Sequence, residues 1–329
     1  MNVRIRGSGI AAACCAHLLR RAGVAVTIDP VVRQAVPAIL LSDPALALIR
    51  DVFGDSSLFT DRPRITHRRV SWGGSGLALV PQGGVLISEA DMAAALPLPS
   101  GTTQRAHPDF TLHMAPPFPS GETHRFGARA ATAVAVTVNA PEAASWVEAV
   151  DDGWLFLIGG GDGPAWLLAV GAPLALLLGQ SRHVAPLCHA VQTESATFDT
   201  CPRILPALAG DGWLAGGTAA LAFDPICGDG TAQAVREAIL ASAVLVAIAQ
   251  GGDPQALRHH YDSMLLAAMR RHLALCIPFY QSGGTGIWWQ AQVTALTQGH
   301  QWCTARLAHT PEPQYVLRGF ALVSREAVA

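Results

Sequence analysis

The chain has 329 residues, half of them apolar and 14% charged, with a formal net charge of −2. This composition excludes a disordered chain, and the charge balance gives no basis for nucleic acid or an acidic membrane surface as a partner. All 22 basic residues are arginine, so no chemistry that needs a lysine amine is open to it.

The cysteines at 14, 15, 188, 201, 227, 276 and 303 lack CxxC spacing, which predicts neither a disulfide framework nor a metal centre. Arg4 and Arg6 before the apolar run Ile10 to Leu19 resemble a signal peptide, but His17 and the glycines in the pattern argue against one. The run Ala165 to Leu178 is interrupted by Pro173 and too short to span a bilayer. The expectation is a cytoplasmic protein with no membrane span.

Residues 1–29 read as strand, turn, helix and strand. Val3 to Arg6 alternates, Gly7-Ser8-Gly9 turns, Ile10 to Ala22 is rich in Ala and Leu, Gly23 stops the helix, and Val24 to Ile28 leads to Asp29. Inside lies G-x-G-x-x-A (Gly7, Gly9, Ala12), with Asp29 placed to accept ribose hydroxyls, so this unit predicts dinucleotide binding. Pro37 to Phe53 reads as helix. The basic run Arg62, Arg64, His67, Arg68, Arg69 reads as a strand edge or solvated loop. Gly83 to Ser88 is a turn and short strand, and Ser88 caps a helix Glu89 to Leu96. Proline-rich residues 97–125 read as loops and edge strands.

Strand patterns follow at Ala128 to Val138, Trp146 to Val150, Trp154 to Ile158 and Ala165 to Val170, separated by Gly/Asp turns, which predicts a mainly antiparallel sheet. Residues 171–182 read as helix and His183 to Thr200 as strand. The stretch Gly216 to Ala247 then carries Gly217, Thr218, the pair Asp224-Pro225, the glycines Gly228 and Gly230, and a long apolar helix for which Thr231 is the expected cap. Such a helix start aims unpaired N–H groups and the positive end of its dipole at whatever fills the turn. Tyr261 to Ile277 and Ile287 to Thr297 read as C-terminal helices.

An N-terminal GxGxxA unit, a late strand–DPxxGxG–helix unit and an antiparallel sheet between them resemble the flavoprotein monooxygenase superfamily that includes the tryptophan halogenases and aromatic hydroxylases. The resemblance implies an α/β fold: a Rossmann-like FAD-binding domain (1–60 with 83–97 and 195–252), an inserted antiparallel-sheet substrate domain (61–82 and 98–194) and a C-terminal helical region (253–329). It implies FAD as cofactor, with Gly7, Gly9, Ala12 and Asp29 at the ADP part. Gly217, Thr218, Asp224, Pro225, Gly228, Gly230 and Thr231 would line the ribityl chain and the flavin ring. Thr218 stands where the family usually has an acidic residue. Asp152 to Ile158 is similar to the halogenase stretch G-W-x-W-x-I-P, with Phe156 for the second Trp and Gly159 for the Pro. Halogenases also use a lysine between flavin and substrate; this chain has none, so hydroxylation is expected instead.

FDPICGDGTA at the core turn, Arg271-His272-Leu273, Phe279-Tyr280 and Trp288-Trp289 look most like flavoproteins that oxidise a protein-bound tryptophan during maturation of quinone cofactors. The implied partners are an aromatic small molecule or a peptidyl tryptophan, and an external electron donor, NAD(P)H or a reductase. Alternatives are a flavin oxidoreductase acting on an apolar small molecule and a degenerate flavoprotein fold that only binds a partner. His183, His189, His259, His260 and His272 are the candidates for acid, base or hydrogen-bond donor. Cys227 and the aromatic pairs are expected to pack the interior.

Overall fold

The computed structural model describes residues 1–32, 36–96, 98, 107–140, 142–159 and 161–325. Strand Asn2–Arg6, helix Ile10–Arg21 and strand Ala25–Asp29 follow the sequence pattern closely. Gly9 sits at φ 89° directly before the helix, a conformation that favours glycine. The two strands pair in parallel, and Phe110–His113 and Trp213–Ala215 extend the same parallel sheet, with Ala209–Gly210 antiparallel at its far edge.

Phe110–His113 is the principal departure from the expected topology. Its segment was expected to hold loops and edge strands beside the inserted sheet, yet the strand lies inside the parallel sheet with Phe110 and Leu112 buried. Four residues among prolines give too short a period for the pattern to show, and the strand exists because neighbours on both sides satisfy its backbone. Pro97 and Pro99 lie outside the described residues.

A second sheet of eight strands carries Ala130–Val138, Ala144–Val150, Gly153–Gly159, Gly163–Gly171 and Cys188–Asp199, paired antiparallel as expected. It continues through Arg64–Ser71, Ala78–Ile87 and Ile39–Ser42. The basic run is therefore an interior strand, with Arg69 paired to Glu142. The expected helix Pro37 to Phe53 is instead a strand, Ile39–Ser42, followed by helix Asp43–Phe53. The break falls where the Ser42 side chain accepts the Ala45 N–H and Pro44 fits the first turn. Ser88 caps Glu89–Ala95 in a capping box with Asp91, as its sequence indicates.

The late helix Gly230–Ala249 runs through the core beside Ile10–Arg21, to which the Cys15 thiol ties it by donating to the Ala238 carbonyl at 3.4 Å. It is long and apolar enough to cross a bilayer, but 72% of its most apolar window is buried inside the protein. Helix Pro254–Gly283 packs against this helix, and helix Ile287–Leu307 packs in turn against Pro254–Gly283. The C-terminal region is not wholly helical, because Tyr315–Arg318 and Ala321–Ser324 close a hairpin.

Candidate functional site

The two glycine turns stand at the same end of the parallel sheet. The Gly7 N–H donates to the Asp29 carbonyl and the Ser8 hydroxyl to the Val31 carbonyl, which holds the first turn open ahead of its helix. No side chain caps that helix, so its first N–H groups remain available. A cavity of about 320 Å³ opens there, lined by Ser8, Gly9, Ile10, Ala13, Met92 and Leu98 among others. Ala12 is buried beneath the turn. Asp29 is exposed at the end of its strand and makes a loose ion pair with Arg6 at 3.8 Å.

The second turn approaches the first through Gly217, which has φ 73°; a Cβ there would lie 3.8 Å from the Ala11 methyl. A second cavity, of about 250 Å³, is lined by Thr218, Phe223, Pro225, Gly230, Gln233 and Glu237 with neighbouring residues. The long helix starts at Gly230 with Asp229 as its flanking residue, and no side chain caps it. Thr231 is thus the second helical residue and not the cap, because Asp229 already marks the change of backbone direction. A Cβ at Gly230 would meet nothing within 4 Å, so its backbone faces open space. Gly228 takes φ 63° and lines neither cavity; it backs onto the Arg68 guanidinium.

Glu237 gave no sign in the sequence beyond being an acid inside an apolar helix. It is fully enclosed, accepting the Gly217 N–H at 2.8 Å on one oxygen and the Gln233 amide at 3.2 Å on the other. Burial raises its pKa to about 8, more than these two donors lower it. The carboxyl, with its protonated form favoured by burial, lies in the lining of the second cavity. Thr218 beside it is exposed, and its carbonyl accepts from Arg203 at 3.3 Å.

Asp224 anchors the turn from behind. Its carboxylate accepts the Ile226 N–H at 3.0 Å and the Tyr280 hydroxyl at 2.9 Å, and lies 3.0 Å from the Arg129 guanidinium with both side chains fully buried. The guanidinium also lies over the Tyr280 ring, 4.7 Å from its centroid, and Tyr280 accepts the Trp154 indole N–H at 3.2 Å. Burial, followed by the Asp224 charge, pushes the Tyr280 hydroxyl well above its usual range, which keeps it a donor. Trp154 thus fixes Tyr280, Tyr280 fixes Asp224, and Asp224 fixes the path of Pro225 along the cavity.

The histidine candidates separate clearly. His272 belongs here: it is buried, stacked on Phe223 at 4.0 Å, and its Nε2 accepts the Asp224 N–H at 2.6 Å. His183 is half-buried elsewhere, with its backbone N–H on Glu148, and His189 is exposed on the outermost strand of the large sheet. His259 and His260 face a third cavity near the C-terminal hairpin. Cys227 packs against the core as expected, and the fold brings its sulfur, His272 and Cys276 within 4.8 Å of one another. Trp289 and Tyr280 are fully buried among the C-terminal helices, as expected, whereas Phe279 is 48% exposed.

No protein-family model and no curated protein matches the sequence. Solved structures do match its fold. A peptidyl tryptophan dihydroxylase, QhpG, essential for tryptophylquinone cofactor biogenesis, is 20% identical, with 98% of this chain and 85% of that one covered at a TM-score of 0.74. The flavin-dependent halogenase CmlS is 14% identical over 93% of this chain and 71% of that one, also at 0.74. The myxobacterial chondrochloren halogenase CndH is 14% identical over 99% and 94%, at 0.68. At these identities the likeness is one of architecture, and the architecture is that of the flavin-dependent halogenases and monooxygenases, with the expected Rossmann-type sheet and C-terminal helices.

Proposed function

We propose that this chain is an FAD-dependent monooxygenase that hydroxylates an electron-rich aromatic ring, with a tryptophan side chain of a partner protein as the substrate of choice. The observation that supports this reading is that the helices starting after Gly9 and at Gly230 both lack a side-chain cap and each begins beside a cavity, with the Gly217 turn close to Ala11 of the first helix. Two observations support a fit to the cofactor: Gly230 faces open space, and the lining of the second cavity includes Glu237, whose pKa burial raises. Bound FAD would supply the reaction of reduced flavin with O₂ that delivers the oxygen atom; everything else falls to the protein.

In this reading Gly7, Gly9 and Ala12 admit the pyrophosphate to the first helix N-terminus, and Asp29 receives the ribose. Thr218 and Glu237 flank the ribityl chain. With its protonated form favoured by burial, Glu237 would offer a hydrogen-bond donor beside Thr218, which stands where the family has an acidic residue. Pro225 would help hold the flavin, and the N–H groups from Gly230 and Thr231 at the helix start would stabilise negative charge on it. Asp224, Arg129 and Tyr280 position that turn and touch no substrate. The fold likeness to a peptidyl tryptophan dihydroxylase and the absence of lysine both favour oxygenation of a protein-bound indole over halogenation. Electrons come from an external donor, NAD(P)H or a reductase.

The purified chain reconstituted with FAD should be yellow, bleach with dithionite under nitrogen and recover its spectrum on admission of O₂. With a tryptophan-containing peptide of the partner present, mass spectrometry should show added oxygen. A chain that retains no flavin supports the non-catalytic binding reading instead.

A further inference from the structure

Two of the cysteines form a pair that the proposed oxygenation does not use. Cys227 lies on the short turn Pro225–Cys227 and Cys276 on helix Pro254–Gly283, and their sulfurs are 3.7 Å apart. Cys227 is half-buried, and Cys276 is fully enclosed behind it. The other thiols have no such partner within reach among the described residues, except the adjacent Cys14 and Cys15, both enclosed in the first helix.

His272 completes the cluster and decides its chemistry. The Cys276 sulfur is 3.4 Å from Nε2 and 3.9 Å from Nδ1. Distances that similar put the sulfur beside or over the ring and not on the axis of the Nε2 lone pair, which would leave Nδ1 much farther away. That lone pair is already taken by the Asp224 N–H at 2.6 Å, and Phe223 covers a face of the ring. A metal held by the two sulfurs would find no free nitrogen at Nε2 and would orphan a buried amide. A pair of thiols meets neither obstacle.

We propose that Cys227 and Cys276 are a peroxide-driven dithiol–disulfide couple that ties the turn bordering the second cavity to the C-terminal helix. The Cys227 thiolate attacks one oxygen of hydrogen peroxide, the O–O bond breaks, and protonation of the leaving hydroxide gives water and Cys227 sulfenic acid. The Cys276 sulfur then attacks the Cys227 sulfur. An S–S bond forms, the S–O bond breaks, and the Cys276 proton leaves with the hydroxyl as a second water. In sum two thiols lose two electrons and two protons to one peroxide. A small dithiol reverses the reaction by exchange.

The electrostatics agree with this division of labour. Cys227 is lowered, first by its sulfur contact with Cys276 and then by His272, against the upward push of burial, whereas Cys276 is raised by the same contact and by burial. Burial pushes Cys14, Cys15, Cys188, Cys201 and Cys303 upward, so Cys227 is the half-buried thiol whose pKa is lowered. The couple depends on the fold alone and not on flavin in the cavity.

The test uses the full-length reduced chain, treated with one equivalent of hydrogen peroxide, blocked with an alkylating agent and digested with trypsin and chymotrypsin. Chymotrypsin cuts after Phe279 and so separates Cys276 from Cys303. The expected product is a peptide joining Cys227 to Cys276, lost on treatment with dithiothreitol, with the other five cysteines alkylated. Its rate of formation should rise with pH below the ordinary thiol range, as the Cys227 thiol ionises. Cys276→Ser should leave Cys227 as a sulfenic acid trapped by dimedone. If that variant does not fold, the wild-type cross-link decides alone. The proposal is overturned if wild-type Cys227 stays a free thiol, ends as sulfinic acid with Cys276 free, or links to a second chain. It is equally overturned if the chain carries stoichiometric zinc that shields both thiols. None of these outcomes depends on whether FAD binds, so failure here leaves the oxygenase reading standing.

Discussion

Asp224 and Arg129 form an ion pair with both side chains fully buried, and its value lies in what happens when one partner goes. Removing one charge from a buried pair leaves the other without water or counter-charge, a loss of about 3–5 kcal/mol. Arg129→Met should therefore lower the unfolding free energy by about that amount in urea titration, and Arg129→Met with Asp224→Asn should recover much of it. Equal losses in the single and double variants would contradict the pairing. Asp224 itself was legible in the sequence, since Asp before Pro is a turn signal and its side chain does cap the turn. Arg129 and Tyr280 were not: one lies ahead of a sheet strand and the other on a C-terminal helix, and only tertiary packing brings them together. The same holds for His272, visible merely as one histidine among several until Phe223 and Asp224 enclose it.

Among the elements, the helix Gly230–Ala249 shows both what pattern reveals and what it hides. Its length and apolar run were plain, because a core helix is apolar on every face. Glu237 within it was legible only as an oddity, an acid where the period demands burial. Its consequence is a pH dependence. The folded value of about 8 exceeds the ordinary 4.5, so between these limits the folded chain keeps a proton that the unfolded chain has released. Stability from this group is thus complete at low pH and falls as pH rises to about 8, by about 1.4 kcal/mol per unit inside the window. Glu237→Gln carries no such proton. Urea unfolding at pH 6 and pH 8 should show the wild type losing more stability than the variant, and parallel losses would refute the buried neutral acid. The short strands Ile39–Ser42 and Phe110–His113 were the elements least legible, since four residues give a period too few repeats and their partners come from far along the chain.

At the level of the whole molecule, the mainly parallel sheet and the large, mainly antiparallel sheet were readable from two glycine units flanking a run of alternating strands. The distribution of strands between the sheets was not, because a strand's partner is set by packing. Gly7 shows how tightly the first unit is built: at φ 138° a Cβ would come within 2.7 Å of the Met114 Cβ, on the segment just after the strand Phe110–His113. Gly7→Ala should therefore destabilise the parallel sheet itself, seen as a lower Tm even without ligand. The two glycine turns, by contrast, matter together only if one elongated ligand reaches both. Equilibrium titration of FAD and of ADP against the wild type, Gly9→Val and Gly230→Val tests that most directly. The account predicts that both variants weaken FAD binding at least tenfold, while only Gly9→Val weakens ADP. A wild type that binds no FAD, or a Gly230→Val variant with undiminished FAD affinity, would contradict it.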